Sequence, residues 1–166
     1  MKKLIYVLSF IAATNIIMAQ NLDKADKDFV MEAADAGLME VKLGQLAMTN
    51  GESDEVKTLG KHMIDDHSKA NNELKALASK KAVTLPETLT ADAQKTYDDL
   101  SKKKGADFDK EYAHLMVKDH KKVIGKFKHE AEKGTDADLK SWASKTLPTL
   151  EHHLEMSEKA CKDKKK

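Results

Sequence analysis

The feature that most constrains the fold is how rarely the chain interrupts a helix. Only two prolines and seven glycines occur in 166 residues. Between them run long stretches in which apolar residues recur every three or four positions, the period of one helical face. Aromatic residues are only 5% of the chain, whereas β-strands are enriched in aromatic and β-branched residues. The sequence therefore predicts an all-α protein.

Start and stop signals divide the chain into four long helices and one short helix. The expected segments, each counted from its capping residue, are 23–50, 53–81, 90–104, 107–133 and 135–160. The capping residues are Asp23, Ser53, Thr90, Asp107 and Thr135. Two tight turns and one long connection predict a ferritin-like four-helix bundle, with the short extra helix in the connection between the second and third long helices. Pro148 is expected to kink the last helix.

The N-terminus is typical of a secretory signal peptide. Lys2 and Lys3 precede an apolar run over residues 4–18, and the small residue Ala19 follows. A membrane-spanning helix needs about 20 apolar residues, so a cleaved signal peptide over 1–19 is favoured over an uncleaved anchor. Residues 20–160 then form the bundle, and 161–166 form a disordered lysine-rich tail. We expect an exported, periplasmic protein without an integral membrane segment after cleavage, although it could lie against the outer membrane.

The basic residues argue against a nucleic-acid partner. All 29 are lysines, and the formal net charge is only +1. Lysine lacks the planar fork with which arginine contacts guanine and phosphate, and no basic stripe precedes the tail. The single Cys161 cannot close an internal disulfide. Assembly into a homo-oligomer stays open.

Each long apolar stripe is interrupted once, near its middle, by a residue type that binds metal ions. The four interruptions are Glu40, His67, His120 and His153. Two of them end a repeated motif, M-[I/V]-x-D-H, at residues 63–67 and 116–120. In each copy the methionine and the histidine point inward on successive turns, whereas the aspartate lies on the flank. Three imidazoles and a carboxylate suit zinc, iron or copper better than magnesium or calcium.

The same residues allow a second interpretation, in which they are core groups that only bond one another and the backbone. Counted from the turn that joins their helices, Glu40 and His67 differ by about 7 Å in position along the bundle axis, and so do His120 and His153. The sequence therefore favours an ion bound by some of these four residues over one bound by all four. Glu32, Asp66 and Asp119 are outer or alternate ligands. A ferritin-like metal-dependent oxidoreductase is the weakest alternative, because a di-iron centre needs Glu-x-x-His on two helices. Only Glu111–His114 provides one.

Several stretches together resemble a bacterial family of exported, ferritin-like four-helix proteins, a domain of unknown function often labelled "predicted outer membrane protein". The matching stretches lie at 28–30, 40–47, 63–67, 112–120, 146–150 and 153–154. The resemblance covers about residues 24–160. It implies a ferritin-like fold and a location in the periplasm or envelope, and it implies no particular activity. Two functions are therefore compared below: a binding or stress-protection module with a core metal or small-ligand site, and a structural or interaction bundle.

Overall fold

The computed structural model describes residues 22–162, and this part of the chain consists of five α-helices joined by loops. The helices are α1 (Lys24–Asn50), α2 (Asp54–Lys80), α3 (Ala91–Ser101), α4 (Gly105–Lys133) and α5 (Ala137–Lys162). The all-α prediction is confirmed for these residues. The predicted signal peptide and tail residues 163–166 lie outside them. Within them, no helix is both long and apolar enough to cross a membrane.

Three of the predicted N-caps are confirmed. The side chains of Asp23, Ser53 and Thr90 accept hydrogen bonds from backbone N–H groups in the first turns of α1, α2 and α3. Such bonds satisfy donors that the helix itself leaves open. Asp107 and Thr135 were predicted as caps, and both predictions are wrong.

Helix α4 starts three residues earlier than predicted, with Lys104 and not Asp107 at the N-cap position. The first helical residue, Gly105, accommodates a φ of +58° that disfavours other residues. Helix α5 is capped by Asp136, whose Oδ1 accepts from Leu139 N at 3.0 Å. It continues to Lys162, so Cys161 is helical and not part of a tail. Helix α3 ends at Ser101, three residues before the predicted end.

The four long helices pack as a bundle of two hairpins, with α1 mainly on α2 and α4 mainly on α5. The hairpins meet where α2 contacts α5 and α1 contacts α4. The connection from α2 to α4 runs along the bundle. It leaves near the α4–α5 turn, where Lys81 pairs with Asp136, and arrives near the α1–α2 turn, where Asn50 donates to the Ser101 and Lys103 carbonyls. Helix α3 therefore belongs to a crossover.

Glycine lets α1 and α2 approach closely. A Cβ on Gly60 would lie 2.6 Å from the Ala47 Cβ, and a Cβ on Gly44 would lie 2.7 Å from the Gly60 carbonyl oxygen. Neither position has room for a side chain while the helices keep this separation. The contact is one helical turn from Met63, so it fixes the height of the His67-bearing helix relative to α1.

Two buried aspartates, here called the turn clamps, tie the hairpins together. Asp26 in α1 accepts from Thr135 N, Thr135 Oγ1 and Asp136 N in the α4–α5 turn, at 2.7–3.1 Å. Asp109 in α4 accepts from Glu52 N and Ser53 N in the α1–α2 turn, at 2.9 Å each. Each hairpin thus closes the turn of the other, which sets the relative height of all four long helices.

The apolar core consists of two clusters. One gathers around Phe29, Phe127 and Trp142, and the other around Leu43, Tyr112 and Met116. Each long helix also carries a buried polar side chain away from both of its ends. These side chains are Glu40 in α1, His67 in α2, His120 in α4 and His153 in α5. We call these four residues the polar layer.

Candidate metal centre

Three histidines of the polar layer converge on one point. His67 comes from α2, His120 from α4 and His153 from α5, and their exposed fractions are 8%, 1% and 0%. One ring nitrogen of each lies within 4.8 Å of the others. Three nitrogens bound tetrahedrally to zinc at 2.0–2.1 Å would lie about 3.4 Å apart. Small side-chain movements would therefore bring all three onto one ion.

The ring spacing is compatible with the same conclusion. The ring centroids are 5.8 Å apart for His67 and His120, 5.2 Å for His67 and His153, and 5.4 Å for His120 and His153. Two imidazoles that share an ion at normal Zn–N distances have centres roughly 5–6 Å apart. Two of the three pairs meet edge to face and the third is tilted.

Hydrogen bonds orient two of the three rings. His120 Nδ1 lies 3.0 Å from the Met116 carbonyl oxygen and donates to it, while His153 Nε2 lies 2.9 Å from Asp66 Oδ2 and donates to it. The opposite nitrogens, His120 Nε2 and His153 Nδ1, are buried without a hydrogen-bond partner. Such an arrangement fixes the tautomer and directs a lone pair inward, as outer partners of metal-bound histidines do.

The polar layer concentrates the unpaired polar atoms. Among residues 22–162, seven buried side-chain nitrogen or oxygen atoms have no hydrogen-bond partner, and four of them are in this layer: Glu40 Oε2, His67 Nε2, His120 Nε2 and His153 Nδ1. A buried polar group without a partner costs roughly 1–3 kcal/mol. Such a concentration requires a physical explanation, and one bound ion would provide a partner for the three imidazoles. Glu40 lies outside the group of converging ring nitrogens.

The electrostatic environment keeps the histidines neutral. Burial, reinforced by the neighbouring His153 and His120, holds the pKa of His67 well below its usual value. Burial likewise lowers the pKa of His120 to about 4. Burial lowers the pKa of His153 as well, against the opposing effect of its bond to Asp66. Neutral imidazole is the form that binds metal ions, so the site needs no deprotonation of histidine at pH 7.

Glu40 completes the layer on α1 and is 2% exposed. Its Oε1 lies 3.9 Å from His120 Nδ1, beyond hydrogen-bonding distance, and its Oε2 has no partner. Burial, with a smaller contribution from Asp119, raises the pKa of Glu40 to about 8, so the carboxyl is neutral at pH 7. With His67 and His120 it lines a cavity of about 20 Å³, which is large enough for one water molecule.

The height mismatch expected from the sequence does not separate the histidines. The expected difference of about 7 Å assigned a helical rise to every residue between the turn glycine and the histidine. Residues in the turn do not contribute this rise, so the difference was overestimated. Counted from the helix ends, His120 lies 13 residues before Lys133 and His153 lies 16 after Ala137. The difference of three residues is about 4.5 Å, which the side chains bridge. The structure thus brings together the three histidines, with Glu40 beside them.

The predicted alternates have different surroundings. Asp66 bonds His153, which is the supporting contact proposed for an outer carboxylate. Asp119 is half-buried, and burial raises its pKa; with Glu32 and Glu40 it lines a separate cleft between α1, α3 and α4. Glu32 itself pairs with Lys126 on the surface. Glu111 and His114, the single Glu-x-x-His, are both exposed.

Sequence reasoning missed one group near the site. His62 and His152 lie off the apolar stripes, so the stripe pattern did not identify them as candidate ligands. Their rings are 6.0 Å apart, and His62 Nδ1 lies 3.8 Å from the same Asp66 oxygen that bonds His153. One signal in the sequence could have indicated this group. His152 directly precedes the inward-facing His153 in α5, as Asp66 directly precedes His67 in α2.

Comparison with known families agrees with the sequence-based resemblance at the level of the family. Residues 12–160 match the family model described as "Domain of unknown function (DUF4142)". The fold and the site therefore belong to a class of helical domains whose function is unknown. The chain belongs to the DUF4142 family. No curated protein and no solved structure matches it.

Proposed function

We propose that this protein is an exported, ferritin-like metal-binding module that holds one first-row transition metal ion in the centre of its bundle. His67, His120 and His153 would be the ligands, and Glu40 would approach as a fourth. Three neutral nitrogen donors and a carboxyl suit zinc first, then iron(II) or copper(II). Storage, buffering or protection against metal stress would be its physiological use.

The observation that carries the proposal is the convergence of three buried ring nitrogens within 4.8 Å. A purely structural polar core would be expected to pair its groups internally. Here His120 and His153 each use one nitrogen for support and leave the other buried and unpaired. That pattern favours a metal centre over hydrogen-bonded core histidines.

The ferritin-like and exported parts of the proposal have separate support. Two hairpins joined by a single long crossover are the connectivity of ferritin-like bundles, and the connection carrying α3 has that course. Export is supported by the charged and then apolar sequence of residues 1–19.

The experiment is zinc loading of protein purified without a histidine tag and stripped with a chelator. We expect one zinc per chain by elemental analysis, and a rise in melting temperature. At free zinc 100 times above the dissociation constant, the free energy of unfolding should rise by about 2.7 kcal/mol.

A double variant, His67→Ala with His120→Ala, should lose most of the bound zinc. The matched control is His114→Ala with His129→Ala, which removes two exposed histidines and should retain the zinc. Wild-type protein that stays metal-free after exposure to zinc, iron(II) and copper(II) would contradict the proposal. It would favour the structural or interaction bundle instead.

A further inference from the structure

The buried histidines are connected to partly exposed side chains at the seam between α2 and α5. Asp66 Oδ2 accepts from the fully buried His153 Nε2 at 2.9 Å and lies 3.8 Å from His62 Nδ1. The side chains of Asp66 and His62 are 38% and 45% exposed. One carboxylate oxygen thus faces both the core cluster and a solvent-accessible imidazole.

A second exposed imidazole, His152, lies beside His62. The rings of His62 and His152 have centroids 6.0 Å apart at an interplanar angle of 85°. This separation is close to the 5.2–5.8 Å of the core rings, so the pair can share an ion after a small rotation of exposed side chains. Two imidazoles and a carboxylate are the donor types that zinc, cobalt(II) and copper(II) accept.

We propose that His62, Asp66 and His152 form a loading site, at which a divalent transition metal ion binds before it enters the core. This inference rests on the proposed function, and it adds a second ion site and a route. The route from this site to the core would follow neighbouring residues in the sequence. In α2 the partly exposed Asp66 directly precedes the buried His67, and in α5 the exposed His152 directly precedes the buried His153.

The transfer is a ligand exchange without a change in oxidation state. An ion held by His62 and His152 would draw Asp66 away from His153 and then pass to the core nitrogens, after which Asp66 returns to His153 Nε2. The loading site need bind only weakly. Its donors are exposed and lack the buried supports of the core rings, so the ion would stay in the core at equilibrium.

The test is the rate of cobalt(II) loading, followed by stopped-flow visible absorption, since tetrahedral cobalt(II) absorbs strongly. We expect the His62→Ala, His152→Ala double variant to load at least tenfold more slowly than wild type. Release into excess chelator should slow by the same factor, because a site on the path cannot change the equilibrium between solution and core. The final spectrum and the affinity should therefore stay unchanged.

The control is again His114→Ala with His129→Ala, which should load at the wild-type rate; apo melting temperatures verify that both variants fold. Loading and release at wild-type rates in the His62, His152 variant would overturn the inference and leave the core site intact. A changed affinity with an unchanged loading rate would also overturn it, since these residues would then act only on the charge near His153. Failure of wild type to bind cobalt(II) at all would instead contradict the proposed function.

Discussion

The turn clamps and the polar layer are both buried and polar, but they are completed in opposite ways. Asp26 and Asp109 accept two or three hydrogen bonds each from the turn of the opposite hairpin. The polar layer contains four buried atoms with no partner. A buried group whose partners come from the chain stabilises the fold, whereas one whose partners are missing is available to a ligand. The comparison therefore separates structural polar groups from a candidate binding site.

Removal of a turn clamp should have the largest effect on stability. Asp26→Ala would leave the backbone N–H groups of Thr135 and Asp136 without their acceptor, while the Thr135 hydroxyl keeps Asp23 Oδ2 at 3.0 Å. Hydrogen bonds to charged groups contribute about 1.5–3 kcal/mol each. We expect the free energy of unfolding to fall by at least about 3 kcal/mol in urea titrations. The control Asp28→Ala, in an exposed pair with Lys24, should change it by less than about 0.5 kcal/mol. Equal effects of the two substitutions would contradict the role of the clamp.

Glu130 tests the electrostatics beside the Asp26 clamp. Burial, and then the charges of Asp26, Asp23 and Asp136, raise the pKa of Glu130 to about 7. Between about pH 4.5 and 7 the folded state holds a proton that the unfolded state has lost, so stability falls as pH rises, by up to about 1.4 kcal/mol per pH unit. Glu130→Gln should remove this slope.

The histidines contribute a slope of opposite sign below about pH 6.5, because the unfolded chain binds protons that the buried rings resist. That slope is shared by wild type and variant, so the difference between their two stability curves reports Glu130 alone. The exposed Glu132→Gln serves as the control. Parallel curves for wild type and Glu130→Gln over pH 4.5–7 would show that Glu130 ionises normally.

The polar layer should give the smallest effect in metal-free protein. His67→Leu removes a buried nitrogen that has no partner, so we expect a change within about 1 kcal/mol, or a slight gain in stability. The same variant should lose the stabilisation by zinc. His153→Leu is the informative comparison, because it deprives Asp66 of its donor and should cost more. A large loss of stability in metal-free His67→Leu would place His67 among the structural groups.

Much of the fold could be predicted from the sequence because its signals are local. The caps Asp23, Ser53 and Thr90 bond N–H groups three residues away, and the apolar stripes follow one helical period. The wrong caps illustrate the limit. Asp107 and Thr135 have suitable side chains, but Gly105 starts α4 earlier and Asp136, not Thr135, accepts from the first turn of α5.

The candidate site could be predicted in part. The polar interruptions of the stripes identified His67, His120 and His153, because an inward position on a helix is readable from the period alone. The predicted alternate ligand Glu32 lies on the surface and pairs with Lys126. His62 and His152 were missed because their proximity depends on how α2 packs on α5, which no period within one helix reveals.

The sequence by itself determined the helices, their inward faces and the residue types placed in the middle of each face, since these follow from backbone hydrogen bonding and from a 3.6-residue period. The tertiary structure decided which of those residues meet. Helix heights depend on contacts between distant segments: the Gly44 and Gly60 approach, and the clamps that join Asp26 and Asp109 to the opposite turns. Those contacts bring one ring nitrogen of each of the three histidines within 4.8 Å of the others. Each of the three rings also has a buried nitrogen without a hydrogen-bond partner.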